Sequence, residues 1–229
     1  MSVPLTLVFD LNETLLDLSA LDPLFVDAFG DKATRRVWFA QMLQLAMSAT
    51  IVGSYAPFGE IARVALEMTA RKRGVALDEE RKRRILRGMS ALPAHGDVAE
   101  GLRRLREAGY RLAVLTNSTE TVARAQLEAA HLDGFFPSVL SVDPVRRFKP
   151  APETYAYAAR SLGVAPADLM LVAAHDWDVA GAMHAGLAAA FVARHGTALN
   201  TLEAAPAIVA PSVREVADAI IRANSSSPG

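Results

Sequence analysis

The chain has 229 residues, 52% of them hydrophobic, enough to bury a sizeable core as one large domain or as a core carrying a smaller one. Its 24 basic residues nearly balance 25 acidic ones, so no overall field exists to hold a polyanion, which excludes nucleic acid and leaves small solutes as the expected partners. Cysteine is absent, which removes disulfides, thiolate catalysis and thiolate metal ligation and suits a reducing cytoplasm.

At the N-terminus, Met1 to Leu7 has no basic segment ahead of its apolar residues, and no run anywhere reaches the roughly 18 apolar residues that span a bilayer. The reading is a cytoplasmic protein, neither exported nor in a membrane. The first strand is predicted at Leu5 to Phe9, a short β-favouring run that stops at the polar series Asp10, Asn12, Glu13 and Thr14. Roughly 95 residues separate it from the next such run; Gly and Pro are sparse there and the period is helical, too long a stretch for a plain crossover. It reads as an inserted helical domain over 15–95, with helices at Arg35 to Met47, Phe58 to Arg71 and Glu79 to Met89. The third carries the basic run Arg81, Lys82, Arg83, Arg84 and Arg87, which is either a solvated face or an anionic docking patch.

Four more strands follow, at Arg111 to Thr116, Ser138 to Val142, Leu169 to Ala173 and Ala188 to Val192. The intervals between them, such as Val98 to Ala108 and Thr154 to Leu162, are long enough for crossover helices. Alternation of this kind predicts an α/β fold: a doubly wound, parallel-sheet, Rossmann-like core formed by 1–14 and 96–223, with the helical cap domain inserted. The tail from Asn224 to Gly229, with three serines and a Pro-Gly end, is expected to be disordered.

Four polar clusters each fall just after a predicted strand: Asp10 to Thr14, Thr116 to Ser118, Lys149 with Tyr155, and His175 to Asp178. A lone carboxylate there often caps the next helix. Four clusters in register would converge on one crevice outside the carboxyl ends of the strands, where such sheets bind ligands.

In these residues the sequence resembles the haloacid dehalogenase superfamily. Its first motif appears as FDLNETLLD from Phe9 to Asp17, its second as VLTNS ending at Ser118, its third as the lysine of FKP (Phe148 to Pro150), and its fourth as AAHDWD ending at Asp178. Superfamily phosphatases carry a second Asp as general acid and a fourth-motif Asp for magnesium, where this chain has Asn12 and Ala174. Leaving-group protonation and charge neutralisation are what phosphoryl transfer needs. The L-2-haloacid dehalogenase branch also lacks that second Asp and needs no metal, and shares SVDPV (Ser141 to Val145), FKP, Tyr155 and Trp177-Asp178-x-x-Gly181-Ala182 with this chain.

The resemblance implies a metal- and cofactor-independent hydrolase of short halogenated carboxylic acids, and a homodimer. Asp10 would attack carbon and form an ester that water hydrolyses, with Lys149 keeping Asp10 ionised and Asp178 positioning Lys149 or activating the water. Thr14, Thr116 and Asn117 would orient Asp10 and the substrate carboxylate, helped by the backbone amides of Leu11 and Asn12. Tyr155 would reach the substrate or Lys149, or pack on the sheet; Trp38 and Phe39 would wall the pocket or lie in the core.

Three departures stand out. The arginine that holds the halide in these dehalogenases has no counterpart between Arg36 and Arg63. The fourth motif has Ala174 and His175 where these dehalogenases have Ser and Asn, and His175, with Asp176 beside it favouring the charged form, is the candidate replacement for the arginine or else only anchors its loop, with Asn117 or Gln41 next. Glu13 replaces a glycine, and would point outward or serve as a second acid. A phosphatase-like hydrolase of a small phosphorylated metabolite and a non-catalytic small-acid binding protein are the alternatives.

Overall fold

Strand β1 (Thr6–Phe9) is built from side chains that are all buried, as expected of a strand covered by helices on both faces. The computed structural model describes residues 4–225. Strands β2 (Arg111–Thr116), β3 (Ser138–Ser141), β4 (Leu169–Ala173), β5 (Ala188–Val192) and a short β6 (Ile208–Ala210) complete a parallel sheet in the order β3-β2-β1-β4-β5-β6. β1 lies between β2 and β4, with Phe9 paired to Val114 on one side and Val172 on the other. The chain winds outward from β1 in both directions, so the crevice at the ends of β1 and β4 is the switch point at which doubly wound sheets bind ligands.

Of the five α-helices between β1 and β2, the first four form the insertion: α1 (Asp22–Phe29), α2 (Thr34–Val52), α3 (Phe58–Lys72) and α4 (Glu79–Gly88). α2 runs five residues beyond the Met47 expected from sequence because nothing breaks it before Gly53, whose φ of 74° ends the helix in the left-handed conformation. α1 has no counterpart in the sequence reading. Where the chain leaves and re-enters the sheet the two connections are bonded together, Asp17 N to Pro93 O at 2.8 Å and His95 N to Leu15 O at 2.9 Å. The basic run on α4 is spent on acids nearby: Arg81 on Asp78 at 2.9 Å, Lys82 on Glu79 at 2.6 Å and Arg84 on Asp27 at 3.3 Å. It is a paired, solvated face rather than a docking patch.

After β1 the helices α5 (Val98–Glu107), α6 (Glu120–Ala129), α7 (Pro152–Leu162), α8 (Asp176–His184) and α9 (Val213–Ser225) cover the sheet. Gly101 lets α5 lie against the start of α9, since a Cβ there would sit 2.9 Å from the Val213 backbone. Asn224 and Ser225, expected in a disordered tail, form the last turn of α9, where an amphipathic face holds the chain down; the rest of that tail lies outside the described residues. No helix among the described residues is long and apolar enough to cross a membrane.

Candidate active site

Asp10 follows β1 and is 5% exposed. Its Oδ1 accepts from Lys149 Nζ at 2.8 Å, and its Oδ2 accepts from Thr14 Oγ1 at 2.7 Å. Thr14 Oγ1 accepts in turn from Ala174 N at 2.9 Å, so the hydroxyl proton can only point at Asp10. His175 Nδ1 lies 3.2 Å from Asp10 Oδ2 and its Nε2 lies 3.1 Å from Glu13 Oε2.

Lys149 is buried at 1% exposure and meets three acceptors: Asp10, Asp178 Oδ2 at 2.6 Å and the Leu115 carbonyl at 3.0 Å. An ammonium has three donors, and each is used. Its backbone N–H donates to Asn117 Oδ1 at 3.0 Å, which ties the loop after β2 to the lysine. Asp178 accepts on its other oxygen from Tyr155 Oη at 2.6 Å. Gly181, one turn further along α8, leaves room for this arrangement, since a Cβ there would lie 2.7 Å from Tyr155 Oη and 2.5 Å from Pro150 Cβ.

Burial alone would raise the pKa of Asp10, but the charges of Lys149 and His175 hold it well below the usual carboxylate range. Burial also opposes the charge on Lys149, and the two carboxylates beside it push its pKa up. Asp178, fully enclosed and facing Asp10, is raised despite its bond from Lys149. For His175 burial works against the cation, yet hydrogen bonds to Asp10 and Glu13 push it up to about 10, so the imidazole is protonated at neutral pH. Asp10 and Glu13, rather than the Asp176 expected to favour that charge, are the carboxylates at its two ring nitrogens.

This is a buried carboxylate kept ionised by a lysine at the switch point of a doubly wound sheet, with a helical insertion after the first strand. Residues 5–186 match the haloacid dehalogenase-like hydrolase family. The chain belongs to that family. The (S)-2-haloacid dehalogenase 4A of Burkholderia cepacia is 31% identical over 191 residues, 82% of this chain and 83% of the relative. The haloacetate dehalogenase H-2 of Moraxella sp. (strain B) is 29% identical over 218 residues, 94% of this chain and 95% of the relative. The solved structure of the L-2-haloacid dehalogenase from Xanthobacter autotrophicus superposes with a TM-score of 0.89 at 27% identity, covering 95% of this chain and 98% of that one. A structure of that enzyme with chloropropionic acid covalently bound gives a TM-score of 0.87 at the same identity and coverage.

Within this haloacid dehalogenase-like hydrolase, several residues singled out from sequence face elsewhere. Asn12 Oδ1 accepts from Gln126 Nε2 at 3.1 Å, which turns its side chain toward α6. Thr116 Oγ1 accepts from Ser118 N at 3.1 Å and shapes its own loop. Trp38 is a core residue: its indole donates to the Ala62 carbonyl at 2.9 Å and its ring lies 5.3 Å from that of Phe25. Gln41 bonds to Gln44 at 3.0 Å and to Lys72, within the insertion. Phe39 does reach the site, stacking on His175 at 5.9 Å, with Trp177 stacked on the imidazole at 4.9 Å.

Two site residues were missed as such. Glu13 lies in the left-handed region that favours glycine, with φ 63°, and its carboxylate turns inward to His175. Arg35 on α2 donates to Asp22 at 2.5 Å and approaches Glu13 at 3.5 Å. The result is an alternating chain of charges, Arg35, Glu13, His175, Asp10, Lys149, Asp178. A cleft of about 560 Å³ opens beside it, lined by Glu13, Arg35, Phe39, Leu43, His95 and Arg194 among others.

Proposed function

We propose that the chain hydrolyses the carbon–halogen bond of short 2-haloacids through an ester on Asp10. The observation that carries this reading is Asp10 itself: ionised, almost out of water, and with no second carboxylic acid two residues on, where the side chain of Asn12 is bonded to Gln126. Asp10 attacks the carbon bearing the halogen; the C–O bond forms as the C–X bond breaks, and halide departs with the electron pair. Halide needs no proton on leaving, so this chemistry does without the general acid that phosphate-ester cleavage requires.

In this reading Lys149 keeps Asp10 ionised, and Asp178, itself held by Tyr155, holds Lys149. Thr14 fixes the orientation of the carboxylate. The backbone amides of Leu11 and Asn12 hold the substrate carboxylate, and Phe39 walls the apolar side. Asn117 becomes the halide donor: its carbonyl is committed to Lys149 N, which frees its amide nitrogen to donate. His175 is less suited to that task than the sequence suggested, because both of its ring nitrogens already face carboxylates.

No metal is needed, and the donor set supports that: Lys149, Thr14 and His175 occupy both oxygens of Asp10. The test is halide release from chloro-, bromo- and fluoroacetate and both 2-chloropropionate enantiomers, with chelator present. Release that survives chelation is expected. Phosphate release from a phosphate-ester panel that needs magnesium, without halide release, would replace this reading by the phosphatase one.

Residues 15–95 are read as a cap over the crevice, and the chain as a cytoplasmic homodimer. The exposed Ile51 and Val52 at the end of α2 and Val64 on α3 support pairing of two copies. Sedimentation at micromolar concentration should then give a dimer, and Ile51→Lys with Val52→Lys a monomer.

A further inference from the structure

Ester hydrolysis needs a base that can reach a water beside Cγ of Asp10. Asp178 is poorly placed for this: it is fully buried, one oxygen accepts from Lys149 and the other from Tyr155. His175 is better placed. Its Nδ1 lies 3.2 Å from Asp10 Oδ2, one bond from the carbon to be attacked. Its ring is fixed between Phe39 and Trp177 and held at Nε2 by Glu13, a residue that also lines the 560 Å³ cleft through which water can arrive.

We propose that His175, oriented by Glu13, takes the proton from the water that hydrolyses the Asp10 ester, while Asp178 acts only on Lys149. This rests on the dehalogenase reading above. Before reaction His175 is a cation between two carboxylates, Asp10 and Glu13. The other groups around it are Arg35 behind Glu13, Lys149 behind Asp10 and Asp176 next in sequence. When Asp10 becomes an ester it loses its charge, and Lys149 loses one of its counter-ions. Both changes disfavour the imidazolium, which releases its proton toward the cleft.

The neutral imidazole then accepts a proton as water oxygen bonds to Cγ of Asp10. The tetrahedral intermediate breaks its bond to the alkyl oxygen, and His175 returns the proton to that oxygen, giving the 2-hydroxy acid. The new carboxylic acid of Asp10 passes its proton to His175 and restores the starting pair. Per turnover one water is consumed, and one halide and one proton are released.

The experiment is rapid-quench single turnover with a 2-chloropropionate that the wild type accepts, measuring halide, product and the intact protein mass, for wild type, His175→Gln, Glu13→Gln and Glu13→Gly. The last variant suits the left-handed backbone at that position and keeps the fold in hand. Expected for His175→Gln is one rapid halide per active site, then an alkylated protein that hydrolyses about 10²- to 10³-fold more slowly. The two Glu13 variants should show a smaller slowing of the same step. In wild type the hydrolysis rate should rise with pH to a plateau, and in His175→Gln that titration should vanish. Slower ester formation without accumulated ester, or equal slowing of both steps with an unchanged pH profile, overturns the proposal and leaves His175 a halide or structural residue. A wild type that releases no halide from any substrate overturns the dehalogenase reading and this proposal with it; normal wild-type turnover with normal ester hydrolysis in all variants overturns this proposal alone.

Discussion

Asp10→Asn abolishes turnover and leaves the fold in place. An amide oxygen is a far weaker nucleophile than a carboxylate, and the substitution changes no volume, so Lys149 and Thr14 can still donate to the remaining oxygen. Stability should nevertheless change with pH in a defined way. The pKa of Asp10 is depressed in the folded chain, so its ionisation stabilises the fold above the unfolded-state pKa of roughly 3.9, and that contribution is lost as pH falls. Asp10→Asn lacks it, and thermal melts of wild type and variant should converge toward acid pH and separate near neutrality. Single turnover of wild type in ¹⁸O-labelled water should place label in Asp10 before it appears in product. Label appearing first in product, or normal turnover by Asp10→Asn, would remove the covalent route.

Why some of this was legible in the sequence and some was not follows from the kind of signal each residue leaves. β1, β2, β4 and β5 are central parallel strands buried on both faces, and they read as short apolar runs within a residue of their ends. Ile208–Ala210 is a three-residue edge strand, half exposed, and its apolar run, confined between Pro206 and Pro211, is too short to stand out as a strand. Asp10, Lys149 and Asp178 stand where strands or their turns give way to polar series, and the crevice that gathers them is fixed by topology alone.

Glu13 and Arg35 left no comparable trace. A residue replacing glycine in a loop can face either way, and only the left-handed φ of 63° and the position of His175 turn Glu13 inward. Arg35 meets it through the docking of α2, a contact between elements that periodicity does not describe. α2 also hid the faces of Trp38, Phe39 and Gln41, because it is apolar around much of its circumference: Trp38, Phe39 and Met42 are buried while Val37, Ile51 and Val52 are exposed. Trp38 accordingly went to the core and Phe39 to the site, though they are neighbours.

Lys149→Met should cost both stability and activity, for reasons that can be separated by pH. The lysine is the cation that Asp10 and Asp178 share, at 2.8 and 2.6 Å, and all three groups are buried. Removing one partner of a buried ion pair leaves an uncompensated charge and typically costs about 3–5 kcal/mol. The chain lowers that cost by protonating a carboxylate, and Asp178, already raised by burial, is the first to take the proton. Asp10 then keeps only His175 and Thr14, and its pKa rises. Ester formation requires ionised Asp10, so its acid limb in the variant should move to higher pH, with a rate at neutrality about 10²-fold or more below wild type, as for loss of a charge-stabilising donor. Lys149→Arg should not restore it, since a planar guanidinium cannot meet Asp10, Asp178 and the Leu115 carbonyl in the enclosed space of an ammonium. Ester formation measured by halide burst across pH decides the matter: an unchanged acid limb in Lys149→Met would mean that Lys149 is not what keeps Asp10 ionised, and His175 would have to carry that role instead.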